Sequence, residues 1–244
     1  MTLFNGKRLR PATFAVDPRM AHGRYTDQYF INVRDILARL AEEGYGFAGR
    51  SPEVEAEGLD PAGFDVAGAE VEMQCFTKRR PFSIACGTDH ALAILKTCAG
   101  TVDASGTFHH TASTLEVEAV ADGARLEPWV PALKIRGRYR DFAILETPIL
   151  GVLARPTRVA TNTYEALAAA GGKPVFFFPA RFDLPCTQPA DGYAYTVGVD
   201  AYNHESGADV PAMITTEAQG AWWGARGGGT VSHSYVIAFL HDAA

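Results

Sequence analysis

Hydrophobic positions recur at helical spacing in several stretches of the chain. Over residues 28–43, Tyr29, Phe30, Val33, Ile36, Leu37 and Leu40 fall on one face, with Arg34, Asp35, Arg39 and Glu42 mostly opposite. This is the pattern of an amphipathic helix. Asp27 stands before it as an N-cap, and Gly44 and Gly46 end it. A second helix is predicted over residues 87–97, with Leu92, Ile94 and Leu95 apolar and Ala99-Gly100 as its stop. Residues 145–159 also have helical spacing, but Pro148 and Pro156 cut it. Residues 157–170 read as a strong helix ended by Gly171-Gly172. Residues 188–197 predict a further helix, leading into a turn at Gly198-Val199-Asp200.

Strand-like runs lie between these helices. Residues 71–76, 115–119, 125–127 and 133–136 are short, with turn signals such as Asp122-Gly123 between them. Residues 175–178 form a continuous apolar run, the mark of a strand buried on both faces. Residues 1–25 read as an irregular arm, 48–67 as a surface loop, 101–113 as a loop or hairpin connection and 203–212 as a loop. Trp222 and Trp223 suit a core or an interface, and residues 231–240 fit either a strand or a helix. The expected class is α/β. A small α+β N-terminal domain with its helical arm (1–141) is followed by the first βα units of an incomplete (β/α) barrel (142–244). A closed barrel typically takes about 200 residues or more, whereas about 100 follow Glu146, enough for about three units.

Composition narrows the partners. A net charge of −6 argues against non-specific nucleic-acid binding, which needs a basic face. No apolar run reaches the ~18 residues that span a bilayer. Met1 to Arg10 holds three cations without an apolar stretch behind them, unlike a signal peptide, so a cytoplasmic location is expected. Cys75, Cys86, Cys98 and Cys186 are scattered, without a Cys-x-x-Cys pair, and read as reduced thiols rather than metal ligands.

Few residues carry candidate chemistry. Lys78-Arg79-Arg80-Pro81 is a cationic turn, either a solvated face or an anion contact. His109-His110 lacks a third ligand at metal-binding spacing and reads as surface. Ser232-His233-Ser234 has no Gly-x-Ser-x-Gly elbow to make it a hydrolase. Arg181 follows the apolar strand, where a guanidinium can grip a carboxylate or phosphate in a fork, or pair with Asp183 or Asp200.

Taken in order, six segments resemble the nicotinate phosphoribosyltransferases, particularly their shorter bacterial and archaeal branch. Thr26-Asp27-Gln28-Tyr29 is similar to the family's Thr-Asp-x-Tyr motif. Gly137-Arg138-Tyr139 with Glu146-Thr147-Pro148-Ile149-Leu150-Gly151 is similar to its barrel entry, and Val159-Ala160-Thr161-Asn162 to the helix that follows. Phe178-Pro179-Ala180-Arg181 resembles the Phe-Gly-x-Arg-Arg loop, Gly198-Val199-Asp200 a Gly-Gly-x-Asp turn, and Gly229-Thr230-Val231-Ser232-His233-Ser234 the Gly-Thr-x-x-His-Ser signature. Phe182 replaces the family's second arginine and Pro179 its glycine.

The resemblance implies transfer of ribose 5-phosphate from phosphoribosyl pyrophosphate to nicotinate, giving nicotinate mononucleotide and pyrophosphate. It implies Mg²⁺ on the pyrophosphate, ATP coupling in some members, and a homodimer or association with the rest of the barrel. Nicotinamide and quinolinate are the alternative pyridines, and a binding module without turnover is the alternative to an enzyme. In this resemblance Tyr29 flanks the pyridine ring, Arg181 grips an anion, and Thr230 hydrogen-bonds the nicotinate or a phosphate. Ser232 and Asp200 complete the substrate contacts, and His233 matches the histidine phosphorylated in ATP-coupled members.

Overall fold

Asp27 and Gly44 bracket the first helix, and Gly44 ends it in the conformation its residue type favours. In a computed structural model, which describes residues 8–239, α1 spans Gln28–Glu43 and ends on Gly44 in the left-handed region. Its buried face is narrower than the apolar pattern suggests. Phe30 and Leu37 are buried, whereas Tyr29 and Ile36 lie on the exposed flank. The Asp27 carboxylate accepts a hydrogen bond from the Thr147 hydroxyl instead of capping the helix. Before α1, the arm holds two 3₁₀ turns, Pro11–Phe14 and Pro18–His22; residues 1–7 lie outside the described residues. The acidic loop that follows contains a short helix, α2 (Pro52–Ala56).

Next come β1 (Glu70–Phe76), β2 (Ser83–Ile84), α3 (Thr88–Cys98), β3 (Gly100–Val102), β4 (Phe108–His110), β5 (Glu116–Ala119), β6 (Arg125–Leu126) and β7 (Pro131–Arg138). The predicted hairpins pair differently from their order in the chain. The strand β7 sits between β1 and β5, antiparallel to both, while β6 pairs with β2. Ile135 and Leu133 of β7 turn inward onto Ile94 and Leu95 of α3 and onto Leu145 and Ile149, forming one continuous core. Asp122 is not a surface turn residue. It is buried, and its carboxylate accepts hydrogen bonds from the Thr88 N–H (2.8 Å), the Thr88 hydroxyl (2.7 Å) and the Tyr193 hydroxyl (3.1 Å).

The two prolines do not divide the helix that follows. The helix α4 runs unbroken through Glu146–Ala169. Pro148 lies in the first turn, where no intrahelical N–H bond is required. Pro156 removes the donor that the Val152 carbonyl would use, and the chain at Gly87 closes over that carbonyl: a Cβ built on Gly87 would stand 1.9 Å from it. The Thr157 hydroxyl donates to Cys86 O and accepts from Cys86 N, binding the helix to the sheet unit at this point.

Beyond α4 lie β8 (Phe176–Phe177), α5 (Gln188–Ser206), β9 (Met213–Ile214), α6 (Glu217–Gly220) and α7 (His233–Ala238). The strands β8 and β9 are parallel, with Phe176 opposite Met213 and Phe177 opposite Ile214, so β8–α5–β9 is a βαβ unit. Two expectations fail here. Residues 175–178 are not buried on both faces, because β8 pairs only with β9 among the described strands and leaves Phe176 and Phe178 half exposed. Nor do Gly198, Val199 and Asp200 form a turn, since α5 continues through them to Ser206. Gly198 is there for packing: a Cβ on it would meet Ala160 O at 2.4 Å, so the glycine sets how closely α5 approaches α4. Tyr193, Val197 and Ala201 of α5 pack on Ala160 and Phe82, with Trp222 and Trp223 at the margin. Residues 231–240 resolve in favour of the helix α7, with Leu240 outside the described residues. Among the described residues, no helix is long and apolar enough to cross a membrane, and the four cysteines are free thiols.

Candidate active site

Parallel pairing puts the C-terminal ends of β8 and β9 side by side, the edge at which α/β folds generally gather their ligand-binding loops. The loop after β8 carries Arg181, whose guanidinium lies 5.5 Å from the centre of the Phe178 ring. It makes no ion pair with Asp183, which is claimed instead by Arg155 of α4.

The segment after β9 returns to its own starting point. The Gly228 N–H donates to Ile214 O at 2.8 Å, and a Cβ on Gly227 would stand 2.8 Å from the backbone of Thr215 and Thr216. Only glycine lets the chain lie that close. The Thr215 hydroxyl in turn reaches Phe177 O of β8 at 3.4 Å. Gly229, Thr230, Val231, Ser232 and His233 therefore leave from the β9 edge. Thr230, Ser232 and His233 are exposed, and the Ser232 and Ser234 hydroxyls are 2.6 Å apart. No hydrogen bond or ion pair joins Arg181 to Thr230, Ser232 or His233 among the described residues.

The other two expected residues lie elsewhere. Asp200 is in the second half of α5, roughly 18 Å along the helix axis from the helix start that follows the β8 loop. Tyr29 belongs to a cluster at the N-terminus of α4. There the Thr26 hydroxyl donates to Ile144 O at 2.6 Å and the Asp27 N–H to the Thr147 hydroxyl at 3.2 Å. At a rise of 1.5 Å per residue, Glu146 lies roughly 14 Å along the helix axis from Arg155, the α4 residue paired to the β8 loop. Desolvation and then the Glu146 and Asp27 carboxylates raise the pKa of Tyr29. Burial, followed by Asp27, raises that of Glu146. This neighbourhood is acidic, the reverse of the β8 edge.

Two cations escaped sequence reading. Arg155 grips Asp191, with Nε to Oδ1 and Nη2 to Oδ2 both at 2.9 Å, as well as pairing with Asp183. Its place inside a stretch thought broken by Pro156 hid it. Arg226 precedes Gly227 on the returning segment, is exposed, and makes no ion pair among the described residues. The run Ala225-Arg226-Gly227-Gly228-Gly229 was its available signal.

The cationic turn divides. Arg79 donates to Asn162 (2.9 Å) and Glu165 (2.7 Å), and Lys78 Nζ lies 5.0 Å from the Trp129 ring centre. Lys78, Arg79 and Arg158 line a cavity of about 650 Å³ between β1 and α4, whose walls include Leu126, Leu150 and Leu153. His109 bonds Asp103 at 2.6 Å on the surface. Among the described residues no group of three or more His, Cys, Asp or Glu side chains is arranged to hold a metal ion.

Residues 62–157 match the family model described as quinolinate phosphoribosyl transferase, N-terminal domain. Nicotinate phosphoribosyltransferase 1 of Arabidopsis thaliana is 32% identical over 128 residues, 52% of this chain and 21% of the plant protein. The nicotinate phosphoribosyltransferase of Caenorhabditis elegans is 30% identical over 131 residues, 54% of this chain and 22% of that one. Among solved structures, nicotinate-nucleotide pyrophosphorylase from Pyrococcus furiosus superposes with a TM-score of 0.62 at 22% identity, over 92% of this chain and 46% of the other. Human nicotinic acid phosphoribosyltransferase gives 0.59 at 20% identity, over 88% and 40%. These two likenesses concern the fold. The matched regions are about a fifth of the curated relatives' length, and the superposed regions less than half of the solved ones.

Proposed function

We propose that this chain, which belongs to the nicotinate and quinolinate phosphoribosyltransferase family, serves the transfer of a phosphoribosyl group to the ring nitrogen of a pyridine carboxylate, nicotinate first among them. The observation that carries the reading is the β8–β9 edge. One loop there presents Arg181, and the other presents Gly229-Thr230-Val231-Ser232-His233.

In the transfer, the pyridine nitrogen lone pair forms a bond to ribose C1′. The bond from C1′ to the pyrophosphate oxygen breaks, and its electron pair leaves with pyrophosphate. No proton moves. Positive charge develops on the ribose and negative charge on the leaving group, so fixed cations at the edge lower the barrier. Arg181 offers a planar fork to the substrate carboxylate or a phosphate, and Arg226 supplies a second cation on the same side. Thr230 and Ser232 donate hydroxyl hydrogen bonds, and His233 meets a phosphate. Asp200 has no part in this reading. Tyr29 would contact substrate only across an interface, as in a homodimer whose partner lends its α1. Mg²⁺ would arrive on the pyrophosphate, since the described carboxylates offer it no cluster. ATP coupling would act through His233.

A second reading, binding without turnover, is favoured by the separate cavity. Its apolar walls and its Lys78 and Arg158 rim suit a pyridine nucleotide. Thermal melts with and without nicotinate mononucleotide test both. Edge binding predicts a rise in Tm that Arg181→Ala abolishes and Arg158→Ala spares; cavity binding predicts the reverse. A melt untouched by the nucleotide would overturn both. Pyrophosphate release from nicotinate and phosphoribosyl pyrophosphate separates turnover from binding.

A further inference from the structure

Among the described residues, the side-chain hydrogen bonds and ion pairs fasten the loop bearing Arg181, residues 179–187, to the rest of the protein through one carboxylate. Its other described hydrogen bonds are local. Phe182 N–H donates to Pro179 O at 2.8 Å and Thr187 N–H to Leu184 O at 3.1 Å. The Thr187 hydroxyl also donates to Leu184 O, and Leu184 N–H to the Asp183 carboxylate. Such closures shape a loop without placing it. The exception is the ion pair between Asp183 and Arg155.

Arg155 is itself fixed from the other side. Asp191, in the first turn of α5, has a side chain only 3% exposed and receives two parallel hydrogen bonds from the Arg155 guanidinium. A buried carboxylate without its cation is costly, so this half of the arrangement resists change. The guanidinium is planar, and a Nη2 shared between Asp191 and Asp183 ties the loop's position to that of two packed helices, α4 and α5. A lysine ammonium on a flexible stem cannot keep both partners in one plane.

We propose that Arg155 is the positioning residue for Arg181. Asp191 orients Arg155, Arg155 holds Asp183, and Asp183 sets where the guanidinium two residues earlier stands over the β8 edge. The importance of this for binding rests on the function proposed above; the hold on the loop does not.

The Arg181–Phe182 bond is a tryptic site, so the rate of cleavage there, followed by mass spectrometry on the full chain, reads the loop directly. Asp183→Ala leaves the Arg155–Asp191 pair intact. It should leave the melting temperature within about 2 °C of wild type while speeding cleavage after Arg181 roughly fivefold or more. Arg155→Lys should speed cleavage as well, with some loss of Tm. The affinity for nicotinate mononucleotide should fall in Asp183→Ala by a similar factor. Unchanged cleavage in Asp183→Ala overturns the proposal. So does faster cleavage seen only where Tm has dropped, which would make Arg155 a purely structural partner of Asp191. If wild type binds no nucleotide, the functional reading fails and the cleavage rates still decide whether Arg155 holds the loop.

Discussion

The sheet unit built on β1, β7 and α3 and the edge formed by β8 and β9 are made of the same residue types used in opposite ways. In the first, polar groups are buried and paired. Asp122 accepts three hydrogen bonds, and Asp89 binds the Arg8 guanidinium at 2.6 Å and the Leu9 N–H at 2.7 Å, drawing the N-terminal arm onto α3. In the second, aromatic and cationic groups are exposed. Phe182 is 83% exposed, Phe178 52%, and Arg181 and Arg226 face solvent. The first arrangement fixes a fold; the second leaves groups unsatisfied and available. A substitution should therefore report chiefly through stability in one region and through ligand response in the other.

The largest expected effect is in the core. Leu145 is fully buried between α3 and the start of α4, and Leu145→Ala should cost about 3 kcal/mol in denaturant unfolding. A loss below about 1 kcal/mol would mean that the sheet unit is packed more loosely than its burial indicates.

An intermediate effect comes from His90. It stacks on Phe14, with ring centres 4.6 Å apart, and meets Trp222 edge-on. Burial lowers its pKa to about 4. The folded pKa is below the unfolded value near 6.5, so between the two the unfolded chain binds the proton and the folded one does not. The His90 contribution is complete above about pH 6.5 and declines as pH falls toward 4. Melting curves should show wild type losing Tm over that window more steeply than His90→Gln. Parallel curves would remove His90 from the account.

The smallest effect on stability should be at the edge. Arg226→Ala should leave Tm within about 2 °C yet reduce any rise produced by nicotinate mononucleotide. If it moves Tm and leaves the ligand response intact, the contrast between the regions is lost.

The legibility of the chain follows the same division. The α1 end was readable because Gly44 acts locally, its start because the apolar periodicity begins there although Asp27 itself bonds Thr147, and the β8 strand and the α5 start were readable from their local pattern. The α4 prolines misled because their tolerance depends on a tertiary contact, the chain at Gly87 closing on Val152 O. Gly198 misled for a similar reason: its glycine serves helix packing, which has no local signature. Arg181, Thr230, Ser232 and His233 were picked out by motif, and strand pairing puts the strands their loops follow side by side. Tyr29 and Asp200 were found by motif too, yet pairing and helix direction take them away from that edge. Arg155 was unreadable because its meaning lies in two carboxylates 28 and 36 positions away.

The bond between Gly228 and Ile214 makes the intervening stretch an excursion that leaves the β9 edge and rejoins it. Closing such a loop costs little more when it is longer. Lineages could lengthen or trim its tip around Gly224 while Thr230 and His233 kept their station, because these residues are set by the base of the excursion. Length variation is thereby confined to Gly224 itself, since Trp222 and Trp223 just before it pack on the α4–α5 core and on Phe14 and Tyr193.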